Sequence, residues 1–187
     1  MSETISIEER QRIRQILGGR REEYAWFVNT YSQQVLDFTS RMVHDAEDAR
    51  ELAQDAFVKA FRSLDSFQGQ SSFGTWLCRI AYHESLNHLK RKRLYTLDIA
   101  EMPIDGQDPQ DEELSTGREE RIQLMEEAVD KLPPDERMLI HLHYYEDRPL
   151  RDIAYIMDVE TGTLGTRLHR IRKKLLRIIK QKENERI

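Results

Sequence analysis

Cysteine is almost missing from this chain. Cys78 is the only one among 187 residues, which excludes an intramolecular disulfide framework and any cysteine-cluster zinc site. It falls inside a helical apolar pattern and reads as a packed thiol rather than a redox sensor. Long apolar runs are also missing: none approaches the roughly 20 residues that cross a bilayer. Met1 to Leu17 alternates charges with isoleucines, unlike a signal peptide. No membrane insertion is expected, and a cytoplasmic location is. Strand-type alternation appears nowhere. No Ser/His/Asp, Cys/His or paired-carboxylate arrangement and no glycine-rich phosphate loop is apparent, so no catalytic residues and no enzyme activity are expected. His83 with His88, and His141 with His143, lack a third ligand nearby, and an i, i+2 pair points two ways around a helix. Neither a metal nor another cofactor is expected.

What is present is charge and helical periodicity. Hydrophobic residues make up 39% and charged residues 34%, a globular balance. The net charge is −5, unusual for a nucleic-acid binder taken as a whole. Its distribution is more informative. Lys90 to Arg93 is a basic block, Arg167 to Lys182 a basic helix, and Asp98 to Glu113 between them is acidic without a single lysine or arginine.

Helical spacing then divides the chain. Met1 to Leu17 predicts a short amphipathic helix stopped by Gly18-Gly19. Arg20 to Val43 predicts a second, with Phe27, Tyr31, Val35, Phe38 and Met42 on one face. Asp45 can cap a third, Ala46 to Leu64. That helix pairs an apolar stripe with an acidic, amide-rich side of Glu47, Asp48, Glu51, Gln54 and Asp55. Acidic residues near a helix start suit its dipole; the charge runs past that turn, so a partner with a basic surface is a second reading. Asp65 to Ser72 is a polar loop with a flexible glycine. Ser71 or Ser72 can cap a fourth helix from Phe73 to about Lys92. On it Trp76 and Tyr82 lie near Arg79, His83, Asn87 and Lys90. Rings to stack on and charges for phosphates are what an unpaired nucleic-acid strand requires, although a tryptophan in an apolar stripe also reads as core. Leu94 to Gly117, with Pro103, Gly106, Pro109 and several acids, reads as a linker. Helical pattern resumes over Arg118 to Lys131 and again after Leu132-Pro133-Pro134. The expected fold is all-α: two small helical domains, 1–93 and 120–187, joined by an acidic flexible linker over 94–119.

The stretch from Pro149 to Lys174 predicts two helices around a tight turn. Leu150, Ile153, Ala154, Ile156 and Met157 form the first apolar pattern; Asp158-Val159-Glu160 interrupts it, and Thr161 can cap the second helix. There Leu164, Leu168, Ile171 and Leu175 make a buried face. Thr163, Thr166, Arg167, Arg170, Lys173 and Lys174 make the opposite one. A hydroxyl-and-guanidinium face opposite a leucine face suits a helix-turn-helix in a DNA major groove. A cationic hairpin with a solvated face is the competing reading.

Several segments resemble the extracytoplasmic-function (ECF) group of bacterial sigma-70 family sigma factors. Ala49-Arg50-Glu51-Leu52-Ala53-Gln54-Asp55-Ala56-Phe57 is similar to that family's AEDLxQExF signature. Phe73-Gly74-Thr75-Trp76-Leu77-Cys78-Arg79-Ile80-Ala81 is similar to FxTWLxxIA. Leu132-Pro133, Asp152-Ile153-Ala154 and Gly162 to Arg170 match the LP, EIA and GTVKSRLxR elements. The likeness spans roughly Arg20 to Arg93 and Glu120 to Ile179. It implies a sigma region 2-like and a region 4-like domain in an alternative sigma factor. Such a subunit joins core RNA polymerase and directs promoter recognition, −10 melting and transcription initiation. By that resemblance Glu51, Leu52, Gln54, Asp55, Phe57 and Val58 would bind polymerase. Ser71, Ser72, Phe73, Thr75, Trp76, Arg79, His83, Asn87, Lys90 and Arg91 would take the −10 single strand. Thr163, Gly165, Thr166, Arg167, His169, Arg170, Lys173 and Lys174 would lie on the −35 duplex. An anti-sigma factor is a further implied partner. Gly165 departs from the family, which usually has lysine or arginine there, so −35 readout leans on Thr166, His169 and Arg170. Asp158 replaces a turn glycine; aspartate tolerates the left-handed conformation. His83 and Asn87 replace a common asparagine and aspartate. Arg79-Ile80 stands where housekeeping sigma factors carry paired tryptophans, which implies that only well-matched promoters melt. A free-standing helix-turn-helix regulator is the alternative function; it leaves the Ala49–Phe57 helix and the 65–75 loop without a purpose.

Overall fold

The computed structural model describes residues 5–95 and 118–186. Among them every regular element is helical. The 94–119 linker expectation therefore falls almost wholly outside the described residues.

Helix α1 (Ile7–Leu17) opens with a reciprocal cap: Glu9 N–H donates to Ser6 Oγ at 3.1 Å, and Ser6 N–H donates to Glu9 Oε2 at 2.7 Å. It stops at Gly18-Gly19, where Gly19 takes φ 106°. The expected helix from Arg20 begins instead as a 3₁₀ turn, Arg21–Glu23, before α2 (Tyr24–Met42). α3 (Ala46–Arg62) starts where the sequence places it, because Asp45 Oδ1 accepts both Glu47 N–H and Asp48 N–H, at 2.8 and 2.9 Å. A 3₁₀ turn, Leu64–Ser66, leads into the loop before α4 (Phe73–Tyr95), which continues past Lys92.

Helices α2, α3 and α4 pack around Phe27, Phe38, Met42, Ala56, Phe73 and Leu77, all at most 2% exposed. Each such large side chain contributes about 1.5–3 kcal/mol through removal from water. Small Ala49, Ala53, Ala56 and Ala60 let α3 lie close to its neighbours. Thr39 hydroxyl, buried in that contact, donates to Ala49 C=O at 2.7 Å.

The second half comprises α5 (Arg118–Asp130), α6 (Pro134–Ile140), α7 (Leu150–Met157) and α8 (Thr161–Arg186). Pro134 occupies the first turn of α6, where a missing N–H costs nothing. The helical pattern through Met138 and Leu142 holds, but at His141–Tyr145 the coil widens to a π-type turn. α7 ends on Asp158 at φ 57°, ψ 48°, the left-handed conformation the sequence called for. Leu124, Met138, Leu139, Leu142, Ile153, Ile156 and Leu164 form the core beneath α8.

Candidate nucleic-acid and polymerase interfaces

α2 and α3 leave a groove of about 670 Å³ open to solvent on one side. Tyr24, Val28 and Leu36 of α2 line it with Phe57, Val58 and Phe61 of α3; Arg21, Arg50 and Gln54 stand at its polar edge. Tyr24 hydroxyl donates to Phe57 C=O at 2.8 Å, and burial raises its pKa above the ordinary phenol value. Of the residues expected to meet polymerase, Gln54, Phe57 and Val58 line this groove. Val58 is 41% exposed, a large apolar side chain left in water. Glu51 and Asp55 are exposed on α3 but not in the groove. Leu52 is 4% exposed and turns into the core. The α2 wall escaped the sequence reading. Tyr24, Val28, Ser32 and Leu36 recur every four residues beside the Phe27–Met42 stripe, and that second stripe was the available signal.

The 65–72 loop and α4 carry the residues expected at the unpaired strand. Ser72, not Ser71, caps α4: its Oγ accepts Thr75 N–H at 3.1 Å and lies 2.9 Å from Thr75 Oγ1. Phe67, half-buried in the loop, packs on Trp76 with ring centroids 4.8 Å apart and meets Phe73 edge-on at 5.9 Å. Phe73 is fully buried, and Ser71, Thr75 and Trp76 are buried too. These side chains shape the loop from beneath, while Gln68, Gln70, Asn87, Lys90 and Arg91 reach solvent. His83 is half-buried, and burial together with the nearby Arg79 charge lowers its pKa, which favours the neutral imidazole. Farther along α4, Lys92 and His88 meet Asp48 at 2.9 and 3.1 Å. Asp48's pKa is lowered, first by the Lys92 hydrogen bond.

On α8, Thr163, Gly165, Thr166, His169 and Arg170 are exposed, and Leu164, Leu168, Ile171 and Leu175 are buried behind them. Arg167 and Lys174 are only half-exposed and bind α6, Arg167 to Asp135 at 2.7 Å and Lys174 to Glu136 at 2.9 Å. Lys173 is likewise half-buried. A Cβ added at Gly165 would meet nothing within 4 Å.

The two halves touch, and they do so through residues assigned to DNA. Arg79 donates from Nη1 to Tyr155 C=O at 2.6 Å and from Nη2 to Asp158 Oδ1 at 2.7 Å, with its guanidinium 4.8 Å from the Tyr155 ring centre. Arg148 reaches Thr75 Oγ1 at 3.4 Å and Cys78 Sγ at 3.9 Å. Arg137, buried at 7% exposure, donates to the carbonyls of Arg41 at 2.9 Å and Met42 at 3.3 Å and lies 3.2 Å from His44 Nε2. Cys78 is fully buried, and burial pushes its thiol up to about 11. Nothing in the sequence pattern marks these arginines as contacts between halves.

Among the described residues no helix is long and apolar enough to cross a membrane, and no cluster of His, Cys, Asp or Glu is arranged to hold a metal. The family model "Sigma-70 region 2" matches residues 27–95, and "Sigma-70, region 4" matches residues 122–175. RNA polymerase sigma-H factor of Pseudomonas aeruginosa is 30% identical over 175 residues, covering 89% of this chain and 91% of that one. ECF RNA polymerase sigma factor SigW of Bacillus subtilis is 30% identical over 178 residues, covering 89% and 94%. ECF RNA polymerase sigma-E factor of Escherichia coli is 31% identical over 170 residues, covering 86% and 88%. The fold is shared with the sigma factor RpoE solved with the anti-sigma factor NepR from Bartonella quintana, at TM-score 0.62 and 21% identity over 85% of this chain and 98% of that one. It is shared equally with CnrH solved with the cytosolic domain of CnrY, at TM-score 0.62 and 20% identity over 92% and 97%. With both regions matched in order and full-length relatives at this identity, the chain belongs to the ECF group of the sigma-70 family and is an alternative RNA polymerase sigma factor.

Proposed function

We propose that this sigma factor works through three faces and must open to use one of them, the α4 face. Residues 1–93 form the region 2-like unit, 94–119 the tether and 120–187 the region 4-like unit. The α2–α3 groove, with Val58, Phe57 and Gln54, receives core polymerase; Glu51 and Asp55 give α3 a negative edge for a basic partner. The 65–72 loop and α4 take the −10 element as a single strand, with the amides of Gln68 and Gln70 at the loop's surface and Asn87, Lys90 and Arg91 along the phosphate path. Flipping a base out costs a few kcal/mol, and stacking returns roughly 1–3 kcal/mol per base. The exposed α8 face, Thr163, Thr166, His169 and Arg170, reads the −35 duplex. Arg167, Lys173 and Lys174 add positive charge to its flank. This chain makes and breaks no bond; polymerase does the chemistry, in the cytoplasm.

The observation that carries this reading is the engagement of Arg79 and Thr75 by α7 and the segment before it. The resemblance gives Arg79 and Thr75 to the −10 strand, so the packed form and the promoter-bound form compete for them. Polymerase and promoter would draw the halves apart, and an anti-sigma partner would hold them together. RpoE of Bartonella quintana, which shares this fold, was solved with the anti-sigma factor NepR, which supports an anti-sigma partner here. The test is transcription by purified core polymerase over a genomic promoter library, with and without this chain. New start sites dependent on the chain are expected. Their loss on Val58→Asp, with thermal unfolding unchanged, would assign the groove to polymerase. A chain that binds duplex DNA but neither joins polymerase nor adds start sites would instead be a free-standing regulator.

A further inference from the structure

Residues 5–16 precede the matched region 2 segment, which begins at residue 27. Yet they reach the 65–72 loop at its entry, its tip and its exit. At the entry, α1 packs on the Leu64–Ser66 turn. At the tip, Gly69 adopts φ 68°, and a Cβ there would stand 3.3 Å from Ile5 Cγ2. Ile5 is 9% exposed, so the side chain is committed to that contact. At the exit the contact passes through α2. Tyr31 hydroxyl donates to Glu9 Oε1 at 2.5 Å. The Tyr31 ring in turn lies so close over Gly74 that a Cβ would meet its Cε1 at 2.7 Å. Gly74 sits in the first turn of α4, beside Thr75 and Trp76.

Glu9 is the telling group. It is 4% exposed, and its carboxylate receives Tyr31 hydroxyl and Ser6 N–H. Burying a carboxylate is expensive. Ile13 and Ile16, both buried, already fasten α1 without it. What the carboxylate adds is direction: it fixes the height and angle of one ring over one glycine at the root of the loop. Arg12 secures the same region from outside, bonded to Glu23 at 2.6 Å and lying over the Trp26 ring at 4.7 Å.

We propose that residues 5–16 are a positioning arm for the 65–72 loop. Ile5, Glu9 and Tyr31 set the selectivity for the unpaired −10 strand without touching it, as a supporting shell does for groups that must be held within about 0.5 Å. This rests on the assignment of the loop to the −10 strand made above.

The test uses the full chain assembled with core polymerase and a pool of fluorescent single strands randomised across the loop-facing bases. The strand that the parent enriches is then measured against the unselected pool. Tyr31→Phe keeps the ring over Gly74 and removes the hydroxyl that Glu9 binds; Ile5→Ala loosens the tip. Each is expected to lower the preference about tenfold, the equivalent of one charge-assisted hydrogen bond. Polymerase and duplex affinity are expected to stay near the parent's, while the unfolding temperature falls by several degrees, because Ile5→Ala empties a buried site and Tyr31→Phe leaves the buried Glu9 carboxylate short of a donor. An unchanged preference in both variants overturns the proposal. So does a preference that falls only in step with polymerase affinity, which marks a merely structural role. Gln68→Ala with Gln70→Ala is the control on the premise. If that double variant keeps the parent's preference, the loop does not read the strand and the arm proposal falls with it. If it loses the preference while the arm variants keep it, the arm proposal alone falls.

Discussion

Arg137→Met should open the molecule. The guanidinium comes from α6 and closes on the C-terminal end of α2, where orphan carbonyls and the helix dipole both favour a cation. It donates to Arg41 C=O at 2.9 Å and Met42 C=O at 3.3 Å, and meets His44 Nε2 at 3.2 Å. Only its bond to Asp130 C=O at 3.2 Å stays within its own half. Burial lowers its pKa from the ordinary guanidinium value, so the charge is held against a desolvation cost. On opening, donors and acceptors return to water, so each crossing bond is worth only about 1 kcal/mol net. Three crossing bonds then favour the packed form by about 2–3 kcal/mol, or roughly 30–150-fold in its population. Methionine retains much of the aliphatic stem packing and removes the polar contacts alone. The assay is small-angle scattering of the chain without polymerase, paired with its affinity for a fluorescent single strand. The radius of gyration should rise and the strand affinity should increase toward that shown in holoenzyme. A variant as compact as the parent, with no gain in strand affinity, would refute the reasoning that these contacts hold the halves together.

Other outcomes can be stated from the same geometry. Gly165→Lys meets open space, so it should stabilise α8 by about 1 kcal/mol and steepen the salt dependence of duplex binding by about one phosphate contact; thermal melts and a salt titration check both. Arg170→Ala should cost about 1–3 kcal/mol on the cognate −35 duplex and little on random DNA; equal loss on both would mark a phosphate contact only. Val58→Asp should abolish polymerase pull-down without moving the unfolding temperature, whereas Leu52→Asp should unfold the chain by burying a charge, which circular dichroism separates. Glu146 gives an acid-range prediction. Burial alone would raise its carboxyl, but hydrogen bonds and charge from His141 and Arg148 overcome this and hold it at about 2, below the ordinary 4.5. A depressed folded-state pKa contributes stability above the unfolded value and loses it on acidification. The gap in unfolding temperature between parent and Glu146→Gln should therefore narrow from pH 4.5 down to about 2.

The local grammar of the chain was open to reading. Asp45 caps α3, Gly18-Gly19 ends α1 and Asp158 turns left-handed between α7 and α8, because each depends on a neighbour or two. Periodicity found the leucine face of α8 and the first stripe of α2. It missed that α2 is apolar on two stripes. The resemblance assigned Leu52 and Val58 alike to polymerase, but Leu52 is 4% exposed while Val58 lines the groove with the α2 wall. Trp76 and Tyr82 carried two readings, and burial to 8% and 4% shows how much of each ring belongs to packing. The arginines across the seam had no local signature at all. Arg79, Arg137 and Arg148 sit among charges of similar spacing, and only the return of the chain some 70 to 96 positions away gives them acceptors.

Cys78 lies in that seam, its sulfur 3.8 Å from Gln34 Nε2 and 3.9 Å from Arg148 Nη2. The chain's only thiol therefore stands behind the contact between the halves. Its rate of reaction with a maleimide is a clock for unlatching, legible by mass spectrometry as the added mass of the adduct, and it should run faster whenever a partner pulls the halves apart.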